Sequence, residues 1–181
     1  MKVVAFYTGQ GVIGKLSEMS FYTGQFSTCS PVVMFNENTT MAGVYHLPGC
    51  NGTRSKLMTE WATNLMPMAD VVNPTHVYLF PSGDASYEEA FGQSSQASKY
   101  GDRDKLKPFF EEYKALFSTK LNIVVETVGR TGIYVSAQGK NIQFATALPT
   151  SGVDVHDLKT NRKEPTGCQV YNMDIDYSIW M

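Results

Sequence analysis

The chain has 181 residues, 43% of them hydrophobic and 12% aromatic, with a formal net charge of −2. That length suits one domain with a core of its own, the charge offers no footprint for nucleic acid, and no apolar run nears the roughly 20 residues of a membrane span. The opening MKVVAFYTGQGVIGKL lacks the apolar region and cleavage site of a signal peptide, which excludes standard signal-peptide export but not secretion routes that leave no such mark.

In chain order, Lys2–Thr8 alternates in the manner of a strand and Ser20–Thr23 reads as a second. The pentapeptide Phe-Tyr-Thr-Gly-Gln occurs twice, at Phe6–Gln10 and Phe21–Gln25, and both copies read as strand ends running into loops. Val32–Phe35 and Met41–Tyr45 read as a hairpin around the polar turn Asn36-Glu37-Asn38-Thr39. Centring the pairing on that turn sets Phe35 against Thr40 and Cys29 against His46. Directly opposed residues have Cβ atoms roughly 5 Å apart, which suits a thiol–imidazole hydrogen bond.

A helix is expected over about Ser55–Leu65, with Leu57, Trp61 and Leu65 on one face. Thr75–Phe80 reads as a buried strand, and the Ser-, Gly- and Gln-rich stretch Pro81–Gly101 as a loop near the site. A second helix is expected over roughly Lys105–Phe117, followed by strands at Leu121–Val128, Gly132–Ser136 and Asn141–Ala147. From Pro149 the chain looks irregular, so residues 149–181 are expected to pack as an irregular C-terminal segment on a single catalytic domain spanning 1–181. Strands outnumber helices. The expected fold is α+β, a layered sandwich with a central mixed, mostly antiparallel sheet flanked by helices.

Three cysteines (Cys29, Cys50 and Cys168) are an odd number, which favours reduced thiols in a cytosol over a disulfide framework. Cys29, His46 and Cys50 together offer three potential zinc ligands, but no Cys-x-x-Cys or His-x-x-x-His spacing supports a metal, and none is expected. His76 and His156 have no recognisable partner in the sequence. A lone Cys–His pair is more often structural than catalytic.

The spacing around that pair is more specific. Thr23 stands six residues before Cys29, and His46 seventeen after it, followed by Leu47-Pro48. Both intervals match the active-site region of the CheD-like glutamine deamidases, which include chemoreceptor deamidases, the catalytic domain of cytotoxic necrotizing factor and a lethal-factor type of bacterial toxin. The order of elements around THVYLF and NIVVETVGRTGIYV also resembles the CheD C-terminal half. Ser27-Thr28-Cys29 departs from the Gly-Ser-Cys of chemoreceptor deamidases, and a serine two places before the cysteine is more similar to the toxin motif.

The resemblance implies a protein-glutamine deamidase that converts a glutamine of a target protein to glutamate through a thioester, without cofactor. Cys29 would be the nucleophile, His46 the general base and acid, and Thr23 the residue orienting His46. Ser27 and Thr28 would shape the site, and the backbone N–H of Thr28 or Cys29 would serve the oxyanion. The implied partner is a protein bearing a reactive glutamine, with neither nucleic acid nor membrane; the sequence leaves the oligomeric state open. The implied setting is a bacterial toxin or effector made in the cytoplasm and delivered to a target-cell cytosol. Two alternatives stand beside it: a cytoplasmic chemoreceptor deamidase acting in chemotaxis, and a non-catalytic binding module with a vestigial site.

Overall fold

A computed structural model describes residues 1–24, 29, 31–47, 58–80, 111, 114–119, 125–127 and 133–174. The described chain is mixed α+β and mostly strand. A five-stranded sheet is ordered β10-β1-β3-β8-β9, from Asp154–Asp157, Lys2–Ala5, Ser20–Thr23, Ile133–Gln138 and Asn141–Ala145. A six-stranded sheet is ordered β11-β2-β5-β4-β6-β7, from Gln169–Tyr171, Gly11–Lys15, Met41–Tyr45, Val32–Phe35, His76–Leu79 and Val125–Thr127. The strands therefore divide between two sheets, where one central sheet was expected. In the first, β1 runs parallel to β10 and β3 while β8 is antiparallel to β3 and β9; in the second, only β6 and β7 are parallel.

Alternation assigns the faces. Ala42 and Val44 on β5, with Val33 and Phe35 on β4, join Val4, Phe6, Phe21, Ile133 and Val135 of the five-stranded sheet in one buried cluster. The intervening residues Tyr45, Val32 and Met34 form a second cluster with Trp61, Leu65, Met68, Ala69 and Val72 of the helix. The six-stranded sheet is buried on both faces, which is why β4 has no exposed position. Phe144 of β9 meets Tyr78 of β6 edge-to-face at 4.9 Å, and Trp61 meets Phe117 in the same way at 4.8 Å.

The helix is described from residue 58, inside the expected segment, and continues beyond it to Val72. Trp61–Leu65 is wound as a π-helix and Met66–Val72 as an α-helix, here α1. The Met66 N–H reaches back to the Trp61 carbonyl. That wider turn lets the helix pass Pro67, which sits in the first turn of α1, where its missing N–H costs least. Asn73 ends α1 in the left-handed region, and Asn36 donates to its carbonyl at 2.7 Å.

Strands β4 and β5 keep their expected bounds but not their expected register. Phe35 pairs with Ala42 and Val32 with Tyr45, and the Asn36 N–H bonds the Met41 carbonyl. The turn is therefore Glu37-Asn38-Thr39-Thr40, one residue later at each end than expected. The Asn36 carboxamide oxygen accepts the N–H groups of Asn38 and Thr39, and Thr40 takes a φ of 61°, so the side chain of Asn36 shapes the loop. Extended along the chain, this register would set position 48 against Cys29, so Cys29 and His46 are not directly opposed. The shift is by two residues, and every side chain keeps its face.

Three strands were not anticipated. β2 (Gly-Val-Ile-Gly-Lys) carries two glycines that weaken its local signal, and β10 and β11 fall in the segment expected to be irregular. These last two are short edge strands whose order comes from β1 and β2. The loop at Pro81–Gly101 lies outside the described residues, as does the second helix apart from residues 111 and 114–119.

Candidate active site

His46 follows β5 directly and continues the alternation Ala42, Val44, His46 toward the cluster between the sheets. Its backbone is held twice by the turn after β1: the Gly9 N–H donates to the His46 carbonyl at 2.8 Å, and the His46 N–H donates to the Gln10 carbonyl at 3.0 Å. Its ring is 2% exposed. Across the gap, Thr23 ends β3 on the same side as Phe21, and it is 1% exposed. Its Oγ1 lies 2.6 Å from His46 Nδ1. Threonine and histidine thus meet between the sheets, one from each.

Burial lowers the His46 pKa from 6.5 to about 3, so the imidazole is neutral at physiological pH. A neutral ring has one N–H and one lone pair. In the tautomer that donates Nδ1–H to Thr23, Nε2 carries the lone pair. The same burial opposes a charged imidazolium at this position.

Cys29 is half-buried and packs against the cluster between the sheets, the one to which Phe21 and Val44 belong. Ser27, Thr28 and Cys50 lie outside the described residues. Cys168 is a different kind of thiol: it is 6% exposed, and burial pushes its pKa up to about 12.

Several polar residues around the site had no sequence signal. Thr8 Oγ1 lies 3.4 Å from His46 Nε2. Tyr45, next to His46 but facing the helix, donates its hydroxyl to Glu60 Oε2, which also accepts from Asn64 Nδ2 at 2.9 Å. Asn172 Nδ2 lies 3.2 Å from Asn64 Oδ1 and 3.0 Å from the Gly9 carbonyl, tying this network to the turn that holds His46. A cleft of about 550 Å³ opens beside it, lined by Thr59, Glu60, Thr63, Asn64 and residues 172–174. Such networks escape a local reading because, apart from Glu60 and Asn64, the bonded partners are 15 to 163 residues apart.

Among the described residues no group of three His, Cys, Asp or Glu side chains is arranged to hold a metal ion, and no helix is long and apolar enough to cross a membrane. No protein-family model and no curated protein matches the chain.

Proposed function

We propose that the protein is a cysteine-dependent protein-glutamine deamidase. The observation that carries this reading is the buried 2.6 Å contact between Thr23 Oγ1 and His46 Nδ1, made by two of the three residues whose spacing suggested the chemistry. In the tautomer that donates Nδ1–H to Thr23, His46 presents Nε2 as a base, and Cys29 packs on the cluster between the sheets.

In the mechanism, His46 Nε2 takes the Cys29 thiol proton as sulfur attacks the carboxamide carbon of a glutamine. The oxyanion is received by backbone N–H groups near Cys29. Collapse of the intermediate breaks the C–N bond, and the proton on Nε2 passes to the departing ammonia. His46 then activates water against the thioester, releasing glutamate and the thiol. General acid–base help of this kind is worth about 10²–10⁴-fold.

The fold belongs to the same proposal. A helix layer on one face of the six-stranded sheet and a second sheet on the other support a CheD-like layered sandwich as a single catalytic domain. The substrate is a target-cell protein and the role that of a toxin or effector; Ser27, two places before Cys29, supports this over chemoreceptors.

Cell lysates treated with wild type, Cys29→Ser or His46→Ala would be compared by ammonia release and peptide mapping. The expected result is a glutamine-to-glutamate change on a discrete target with wild type alone. Equal activity in the variants would refute the assignment, as would amine incorporation or chain cleavage in place of deamidation.

A further inference from the structure

The repeated pentapeptide Phe-Tyr-Thr-Gly-Gln supplies a hydroxyl to each nitrogen of His46: Thr23 at Nδ1 from the second copy, and Thr8 at Nε2 from the first. β1 and β3 are parallel neighbours, so both copies leave the five-stranded sheet at the same end. Their ladder pairs Val4 with Phe21 and Ala5 with Tyr22, an offset of seventeen, whereas the copies lie fifteen apart. The copies are therefore staggered by two residues, roughly 6–7 Å of strand, and keep the same face. Phe6 and Phe21 accordingly enter one core cluster.

Thr8 does not reach His46 from a loosely placed loop. It lies in the Tyr7–Gln10 turn, closed by the Gln10 N–H on the Tyr7 carbonyl, with Gly9 at a φ of 81°. Gly9 and Gln10 make the two backbone bonds to His46 already described, and buried Gln10 uses its carboxamide to hold the Tyr7 N–H and the Met173 carbonyl.

We propose that Thr8 is a second positioning residue of the site, whose hydroxyl attends Nε2 and so brackets the imidazole against Thr23. This rests on the deamidase reading above. The two contacts are unequal, at 2.6 Å and 3.4 Å. The short one fixes the ring. The long one is at the edge of hydrogen bonding and yields readily to a thiol proton. Once Nε2 is protonated the imidazolium has two N–H donors and needs two acceptors, in a place where burial opposes its charge. A hydroxyl can donate to the Nε2 lone pair before the transfer and accept from Nε2–H after it. Thr8 thus acts on the proton-transfer step through His46, not on substrate binding.

The test uses the full chain as wild type, Thr8→Val and Thr8→Ser, with ¹⁵N-histidine NMR on the substrate-free protein and deamidation kinetics on the protein that the lysate mapping above reveals, or on the lysate itself where it reveals none. Valine keeps the shape and removes the hydroxyl; serine keeps the hydroxyl. The expected result is a His46 Nε2 resonance that shifts in Thr8→Val and stays in Thr8→Ser. Turnover should fall roughly tenfold in Thr8→Val at little-changed KM and recover in Thr8→Ser. Unmoved resonance and unchanged turnover in Thr8→Val would overturn the proposal while leaving the deamidase reading intact. The NMR change without any deamidation by wild type would instead sink the activity and uphold the bracket.

Discussion

Thr23 Oγ1 and His46 Nδ1 meet at 2.6 Å although one ends a strand of the five-stranded sheet and the other follows a strand of the six-stranded sheet. The contact links the two sheets at a buried point, and on the proposed mechanism it holds the imidazole that serves as the base. Thr23→Val should therefore lower turnover by roughly 10²-fold or more and cost about 1–3 kcal/mol of stability, because a buried ring nitrogen loses its partner. Thr23→Ser should retain most of both. Ammonia-release kinetics and urea unfolding of the two variants check this, and equal behaviour of valine and serine would contradict it.

His46 also makes stability depend on pH. Its pKa is 6.5 in an unfolded chain and about 3 in the fold. Between those values the unfolded state binds a proton that the native state refuses. Stability is thus unaffected by His46 above about pH 6.5 and falls as the pH drops toward 3, by up to about 1.4 kcal/mol per pH unit. Urea unfolding near neutrality and at about pH 4.5 should show a larger acid loss for wild type than for His46→Asn. Equal losses would mean that the ring protonates freely in the native state.

The two described thiols should separate chemically. Iodoacetamide near neutral pH is expected to label Cys29 in the native protein and Cys168 only after unfolding, since burial holds the Cys168 thiol at about 12. Peptide mass mapping over a time course reads the order. Labelling of Cys168 first would argue against Cys29 as the nucleophile.

Packing beside the site leaves no room at Gly11. A Cβ there would stand 2.7 Å from Tyr45 Cδ2 and 2.9 Å from Met68 Sδ, and Tyr45 is held by its bonds to Glu60 and Asn64. Gly11→Ala is expected to destabilise the protein by about 1–3 kcal/mol, seen as a lower urea midpoint. Gly152→Ala serves as the comparison: it has open space around it but a φ of 76°, so its cost is backbone strain without a clash.

What the sequence determined by itself was local. Period-two alternation placed Val32–Phe35, Met41–Tyr45 and Ser20–Thr23 as strands with their observed bounds, and the Thr23, Cys29 and His46 spacing singled out the residues of the candidate site. Alternation also explains why the face of His46 survived a register error of two residues. The tertiary structure decided what depends on distant partners: the division into two sheets, the edge strands β10 and β11, the helix continuing past Pro67, and the turn set by the Asn36 side chain. The duplicated Phe-Tyr-Thr-Gly-Gln shows the difference most plainly. Along the chain the copies are only two similar strand ends. Parallel pairing of β1 with β3 brings them side by side, and the stacking of the second sheet delivers His46 between their threonines. A repeat and a spacing are properties of the chain, whereas the distances between these groups come from the long-range pairing that folds it.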